Sequence, residues 1–173
     1  HSFPTRRSSD LDAWHLPADP MLGFVEIPAG PFLMGSDPEK DPDAQEREQP
    51  QHEVNLPRYY IARYPVTIAQ FRAFADASGY DEFHKEALED PPNRPVRYVS
   101  WYDALTYTQW LHEELLVVSR QWLPKDGLGD AERSFWQGLA EGDLGVTLPS
   151  EAEWEKAARG ALTPPSLRSD TPL

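Results

Sequence analysis

Carboxylates and histidines are the side chains of this sequence that could hold a metal ion or activate water. The sequence contains 29 Asp+Glu and 5 His but no cysteine. Alternating acidic residues crowd segment 37–51, and such oxygens are the ligands that calcium prefers. These residues are Asp37, Glu39, Asp41, Asp43, Glu46 and Glu48. The EF-hand pattern is not met, because segment 37–51 has no glycine and no apolar residue closes it. We favour a solvated loop, with a calcium loop as the alternative.

The histidines show no metal-binding spacing. His52 precedes Glu53, and His112 precedes Glu113 and Glu114, but neither H-E-x-x-H nor H-x-H occurs. His112 falls among charged residues of a predicted helix, which indicates an exposed side chain. We therefore assign no metal ligand to this sequence.

Nucleophilic chemistry also lacks a candidate. The absence of cysteine excludes disulfides, zinc–thiolate sites and thiol nucleophiles within the chain. The hydroxyls of Thr67, Ser100 and Ser150 each precede a helical pattern, where they serve as N-caps. No phosphate-binding glycine loop, nucleophile elbow or dinucleotide fingerprint is present. The residues alone thus give no catalytic, cofactor-binding or metal-binding position.

The bulk composition indicates a folded, acidic protein. Of the 173 residues 39% are hydrophobic and 12% aromatic, enough for a core, and the formal net charge is -13. An acidic surface repels phosphate backbones, so we expect no nucleic-acid partner. No apolar run reaches the roughly 18 residues of a membrane span, which predicts a soluble protein with no membrane partner. Without a signal peptide or cysteines, a cytoplasmic location is expected.

The two ends of the sequence differ in composition from its middle. Residues 1–20 are polar and predict a disordered tail, and residues 1–11 resemble translated sequencing-adapter read-through, an artefact of assembly. Order is expected from Gly23. Residues 162–173 predict a second disordered tail. A single domain over residues 21–161 is the interpretation that remains.

Short strands and capped helices alternate through that domain. Strands are predicted at 24–27 and 32–34 as a hairpin, and then at 52–56, 58–62, 96–99 and 146–148. Capping boxes begin helices at Thr67 and Ser150, and Ser100 with Asp103 begins another. A further short helix is expected at 131–139. Gly79 and Gly160 end two of the helices. Glu151 and Glu155 are interpreted as parts of a solvated first turn, and the Trp and Phe side chains as core.

Four stretches in order resemble the sulfatase-modifying factor family of formylglycine-generating enzymes. They are IPAGPFLMGS at 27–36, HEV at 52–54 with YYIARYPVT at 59–67, RPV at 94–96 with VSWYDA at 99–104, and LPSEAEWEKAARG at 148–160. The resemblance implies an α+β, loop-rich mixed fold of the formylglycine-generating enzyme type on a C-type-lectin-like scaffold, here truncated. It covers most of residues 24–161.

The resemblance also implies an activity that this chain would not perform alone. Enzymes of the family oxidise a sulfatase cysteine to formylglycine with oxygen, copper and a cysteine pair. The cysteines and the calcium ligands belong to the C-terminal part of the family domain. We therefore expect an inactive N-terminal fragment with no cofactor of its own, copper and calcium being implied for full-length relatives. The implied partner is a protein substrate, a sulfatase, or other domains of a larger protein.

A non-catalytic binding or regulatory domain in a bacterial multidomain protein is the alternative. Relatives without the cysteine pair serve in other oxidative enzymes or as accessory and binding domains, and segment 116–145 resembles an insertion. A paired-cysteine motif downstream in the parent gene would favour the oxidase, and its absence would favour the alternative. In either case the helices carrying Trp101, Trp110 and Trp154 are expected to lack partners, so incomplete folding is predicted for the isolated chain.

Overall fold

Short strands, helices and long connections make up the protein, which confirms the predicted α+β, loop-rich fold. The computed structural model describes residues 13–121 and 127–159, and within them it has four strands, four α-helices and two 3₁₀ turns. The strands are β1 (Phe24–Ile27), β2 (Gly30–Met34), β3 (His52–Leu56) and β4 (Tyr59–Ala62). The helices are α1 (Ile68–Ser78), α2 (Trp101–Gln121), α3 (Asp130–Glu141) and α4 (Glu151–Arg159), with 3₁₀ turns at Glu46–Glu48 and Lys85–Leu88.

The described residues fall into two compact units. Residues 13–25, 62–121 and 127–148 form a helical unit with α1, α2 and α3, and residues 26–61 and 149–159 form a sheet unit with β2, β3 and α4. No helix in the described ranges is both long and apolar enough to cross a membrane. Residues 1–12 of the predicted N-terminal tail at 1–20 lie outside the described residues, as do Gly160 and the predicted tail at 162–173. The domain bounds stay a prediction.

The predicted hairpin between residues 24–27 and 32–34 is wrong. Strand β1 pairs with β4, whereas β2 pairs antiparallel with β3, from Gly30 opposite Leu56 to Met34 opposite His52. Gly30 has a φ of 135°, a conformation that other residues rarely adopt, and the chain changes direction there. Each strand therefore finds its partner further along the sequence.

Two other predicted strands do not form. In segment 96–99, Tyr98 has a φ of 56°, which ends any extended run, and the Val96 N–H donates to the Val66 carbonyl at 2.9 Å. In segment 146–148, the Val146 N–H donates to His112 Nδ1 at 3.4 Å rather than to a strand. The alternation of apolar and polar residues does not show that the N–H groups of Val96 and Val146 have partners outside a sheet.

The predicted helix starts are confirmed. Thr67 Oγ1 accepts from the Gln70 N–H and Gln70 Oε1 accepts from the Thr67 N–H, which closes the capping box of α1. Gly79 ends α1 in the left-handed conformation. The predicted helix at 131–139 is also present, as α3, and it extends slightly beyond both predicted ends.

The N-terminal part of the helical unit is packed earlier than the sequence predicts. Order was expected from Gly23, but Trp14 is buried, with its ring 5.5 Å from that of Trp110. Trp136 is buried on α3 and donates from Nε1 to the Pro20 carbonyl at 2.8 Å. The Trp14 ring thus joins the core, although the sequence around it predicts a disordered tail.

Gly35, just after β2, occupies a position that a larger residue would strain. Its φ is 83°, and an added Cβ would lie 2.7 Å from the Glu48 carbonyl oxygen. Gly142 has a nearly equal φ of 85° with no atom within 4 Å of such a Cβ. Since both substitutions share the backbone cost, we expect Gly142→Ala to lose about 1 kcal/mol and Gly35→Ala about 2 kcal/mol of unfolding free energy. Urea unfolding measures both, and equal losses would contradict the predicted clash.

Candidate functional site

Helix α4 inserts a buried lysine into the sheet unit. Ser150 caps the helix, and its hydroxyl and N–H both donate to Glu153, as the sequence predicts. One turn later the Lys156 side chain is 3% exposed, and its Nζ donates to the carbonyls of Pro28 and Gly30, both at 2.8 Å. A buried ammonium needs such acceptors, since desolvation without them is costly. Lys156 thereby fixes the turn that begins β2.

Glu155 fixes the other end of the same strand. Its Oε1 accepts from the Gly35 N–H at 2.8 Å and pairs with Arg159 Nε at 2.8 Å. The expectation that Glu155 is a solvated first-turn residue is therefore wrong. We call Glu155 and Lys156 the α4 anchor. One feature of the sequence indicates that Lys156 is buried. It stands four residues after Ala152 and beside Ala157, in a helix that must bury one face.

Strand β4 is joined to α4 by a third contact. The Tyr59 hydroxyl donates to the Glu153 carbonyl at 2.6 Å. Burial raises the pKa of Tyr59, and the Glu153 charge acts in the same direction. The phenol therefore keeps its proton and serves as a hydrogen-bond donor.

In the helical unit, a carboxylate at the start of α2 binds a tyrosine. Asp103 is 4% exposed and accepts from the Tyr80 hydroxyl and the Ser100 N–H, each at 2.6 Å. Burial alone would raise the pKa of Asp103, but the donors Tyr80 and Ser100 together hold it below its ordinary value. The hydrogen bond to Asp103, with burial, raises the pKa of Tyr80 to about 12. Neither group exchanges a proton near neutral pH, so the pair is structural.

The histidines and the acidic segment do not form a cluster. His112 is half-buried and accepts from Val146, which corrects the expectation that it is exposed. His52 lies on the surface near the Pro50 carbonyl. In segment 37–51, Asp37 accepts from the Glu39 N–H and pairs with Lys40, a contact that lowers the pKa of Asp37. Within the described residues, no three His, Asp or Glu side chains stand together to hold a metal ion.

Several large aromatic side chains are exposed, although the sequence assigns the tryptophans among them to the core. Trp101 is 61% and Tyr102 73% exposed, with ring centroids 5.2 Å apart, and Tyr98 is 60% exposed. In the sheet unit Trp154 is 63% exposed. The core prediction is thus wrong for Trp101 and Trp154, while Phe32, Phe71 and Phe74 confirm it for the phenylalanines.

A protein-family comparison gives these elements a context. The family model described as "Sulfatase-modifying factor enzyme 1-like domain" matches residues 14–168. This range contains all four stretches on which the resemblance rests, together with the α4 anchor and the Tyr80–Asp103 pair.

Three curated relatives are similar over most of this chain. Hercynine oxygenase of Mycolicibacterium smegmatis is 26% identical, over 77% of this chain and 30% of its own length. Formylglycine-generating enzyme of Thermomonospora curvata is 29% identical, over 84% and 52%. Inactive C-alpha-formylglycine-generating enzyme 2 of Mus musculus is 32% identical, over 83% and 49%. The chain thus spans about half or less of each relative.

Proposed function

Because the chain belongs to the sulfatase-modifying factor enzyme 1-like family, we propose that it forms the framework part of a domain of this family, with the redox chemistry carried by residues outside it. One observation carries the proposal. Polar side chains within the family stretches are bound internally: Lys156 and Glu155 to β2 and its turn, and Asp103 to Tyr80 and Ser100. Side chains whose hydrogen bonds are made within the protein in this way stabilise the fold and are not available to bind a substrate.

The proposed reaction of the complete domain is oxidation of a cysteine in a sulfatase polypeptide to formylglycine. The T. curvata relative is named a formylglycine-generating enzyme, and formylglycine is the product of the proposed reaction. This chain contains no cysteine of its own, so a thiol-dependent oxidation needs residues from elsewhere. Copper and calcium are proposed for the complete domain. The described residues offer no three-ligand group for either ion, so we assign the framework no step that passes through a metal.

A non-catalytic binding domain is the second candidate function. The exposed Trp101–Tyr102 pair favours it, since aromatic side chains of this kind are enriched where proteins bind one another. One relative is itself named an inactive formylglycine-generating enzyme. In this case the parent protein would bind polypeptide without oxidising it.

The proposal is tested by comparing the activity of this chain with that of the product of the complete reading frame. The genomic locus is sequenced across both ends, and the chain, the complete product and the T. curvata enzyme are incubated with a cysteine-containing sulfatase peptide and with hercynine. We expect the complete product to form an aldehyde from the peptide, detected by mass spectrometry, and the chain alone to form none.

Either of two results would change the assignment. Aldehyde formation by the chain alone, at a rate near that of the T. curvata control, would overturn the framework role. A complete product that binds the peptide but transforms neither compound would support the binding domain instead.

A further inference from the structure

Segment 13–23, which we call the N-terminal strap, is held by one side chain from each helix of the helical unit. The three contacts are the Trp14 ring with the Trp110 ring of α2, the His15 carbonyl with Gln70 Nε2 of α1 at 3.1 Å, and the Pro20 carbonyl with Trp136 Nε1 of α3 at 2.8 Å. Proteins bind peptides in the same way, with hydrogen bonds to the main chain for affinity and a side-chain pocket for specificity. The strap therefore lies against the helices as a bound peptide would.

The side chains that hold the strap, Gln70, Trp110 and Trp136, form what we call the strap groove. Gln70 Oε1 accepts from the Thr67 N–H in the capping box of α1, which leaves Nε2 to donate to the strap. The Trp110 ring lies 5.5 Å from that of Phe74, and Trp136 is buried. Because contacts within the helical unit fix these side chains, little entropy is lost when a ligand binds to them.

The strap itself is under backbone strain. Three non-glycine residues in the described ranges have a positive φ, and two of them are His15, at 57°, and Leu22, at 55°. A side chain as large as that of Leu22 adopts this conformation only where surrounding contacts impose it. Next to it, an added Cβ at Gly23 would lie 2.6 Å from Pro17 Cγ, so the chain is also tightly folded there. Release of the strap relieves this strain, which offsets part of the free energy of its contacts.

We propose that the strap groove is a binding site for a polypeptide segment that carries a tryptophan, and that the strap blocks this site until it is released. Trp14 is 4% exposed, so the position beside Trp110 accommodates an indole ring. The contacts at His15 and Pro20 are made to carbonyls, which every sequence offers, so the indole is what selects the ligand. The strap is thus an autoinhibitory contact, and this role does not depend on the framework function.

Binding of a synthetic peptide to the full chain tests the proposal. The peptide has the sequence of residues 13–22 with a fluorescent label at its N-terminus, and its affinity is measured by anisotropy. Trp14→Ala removes the anchor of the chain's own strap. We expect this variant to bind the peptide about tenfold more tightly than the unchanged chain, in which the tethered strap competes at an effective concentration in the millimolar range.

Two further substitutions locate the bound peptide. Trp136→Phe, made in the Trp14→Ala chain, keeps an aromatic ring but removes the N–H donor, so we expect about fivefold weaker binding. Trp154→Phe in the same chain is the matched control, because Trp154 is exposed and belongs to the sheet unit, and it should leave the affinity unchanged. A peptide that carries Trp14→Ser should bind the Trp14→Ala chain about thirtyfold more weakly than the original peptide does.

Thermal unfolding shows whether Trp14→Ala is folded. If its transition is not cooperative, Trp14→Phe takes its place, since phenylalanine keeps a ring beside Trp110 and is a weaker anchor than tryptophan. Four results would overturn the proposal. They are no binding of the peptide by a folded Trp14 variant, equal binding by this variant and the unchanged chain, equal binding of the peptides with and without tryptophan, and self-association of the unchanged chain that excess peptide reverses, which would make a second copy the ligand.

Discussion

Replacement of Lys156 by Met is expected to lower the free energy of unfolding by about 3 kcal/mol. Methionine has a similar length and keeps most of the apolar contacts, but it donates no hydrogen bond. The carbonyls of Pro28 and Gly30 would then lose the donor that both now share at 2.8 Å. Each carbonyl left without a donor beside the buried side chain at position 156 costs roughly 1–3 kcal/mol.

Removing a buried charge can be neutral or stabilising where the whole polar network is replaced by apolar groups. In Lys156→Met the two main-chain carbonyls remain. The substitution removes the free-energy cost of burying the ammonium, but it leaves both carbonyls without their donor. We therefore expect the loss of hydrogen bonds to exceed the relief. Lys156→Arg should recover part of the loss, because it restores donors in a longer side chain.

The same substitution at Lys40 is the control. Lys40 lies in the same unit, its side chain is 79% exposed, and its partner is Asp37 on the surface. An exposed pair of this kind contributes at most about 1 kcal/mol, so Lys40→Met should change little. Urea unfolding gives both values, and hydrogen exchange at the Gly35 amide reports on β2. Equal effects at Lys40 and Lys156 would reject a special role for the α4 anchor.

Sequence alone predicted the parts of the fold that depend on neighbouring residues. Thr67 with Gln70, Ser100 with Asp103 and Ser150 with Glu153 each cap a helix within four residues, so local pattern contains the whole interaction. The family was likewise predicted from four short stretches. The lectin-like scaffold and the cytoplasmic location stay predictions.

Long-range contacts could not be predicted in the same way. The partner of β1 lies more than thirty residues along the chain, in β4, and nothing near Phe24–Ile27 specifies it. The acceptors of Lys156 are main-chain carbonyls, which every residue has, so no residue type marks them. Trp101 and Trp154 had the composition of core residues, and exposure depends on what else is present to cover them.

The Tyr80–Asp103 pair supplies the second large effect. Asp103→Ala removes the acceptor of the Tyr80 hydroxyl and the cap of the Ser100 N–H, so we expect a loss of about 3 kcal/mol. Tyr80→Phe should cost about half as much. Because the two residues share one hydrogen bond, the double variant should lose less than the sum of the single losses. Asp90→Ala removes a surface pair with Arg97 and serves as the control, with an expected loss below about 1 kcal/mol.

The pair should also give the stability of the chain a characteristic pH dependence. The pKa of Tyr80 is raised from 10.0 to about 12, so its contribution is complete below pH 10 and is lost as the pH rises towards 12. The pKa of Asp103 is lowered from 3.8, so its contribution is present above that value and is lost as the pH falls through the folded pKa. Tyr80→Phe should flatten the alkaline limb of unfolding free energy against pH, because phenylalanine has no proton to lose. An alkaline limb of unchanged slope in this variant would show that Asp103 does not hold the Tyr80 proton.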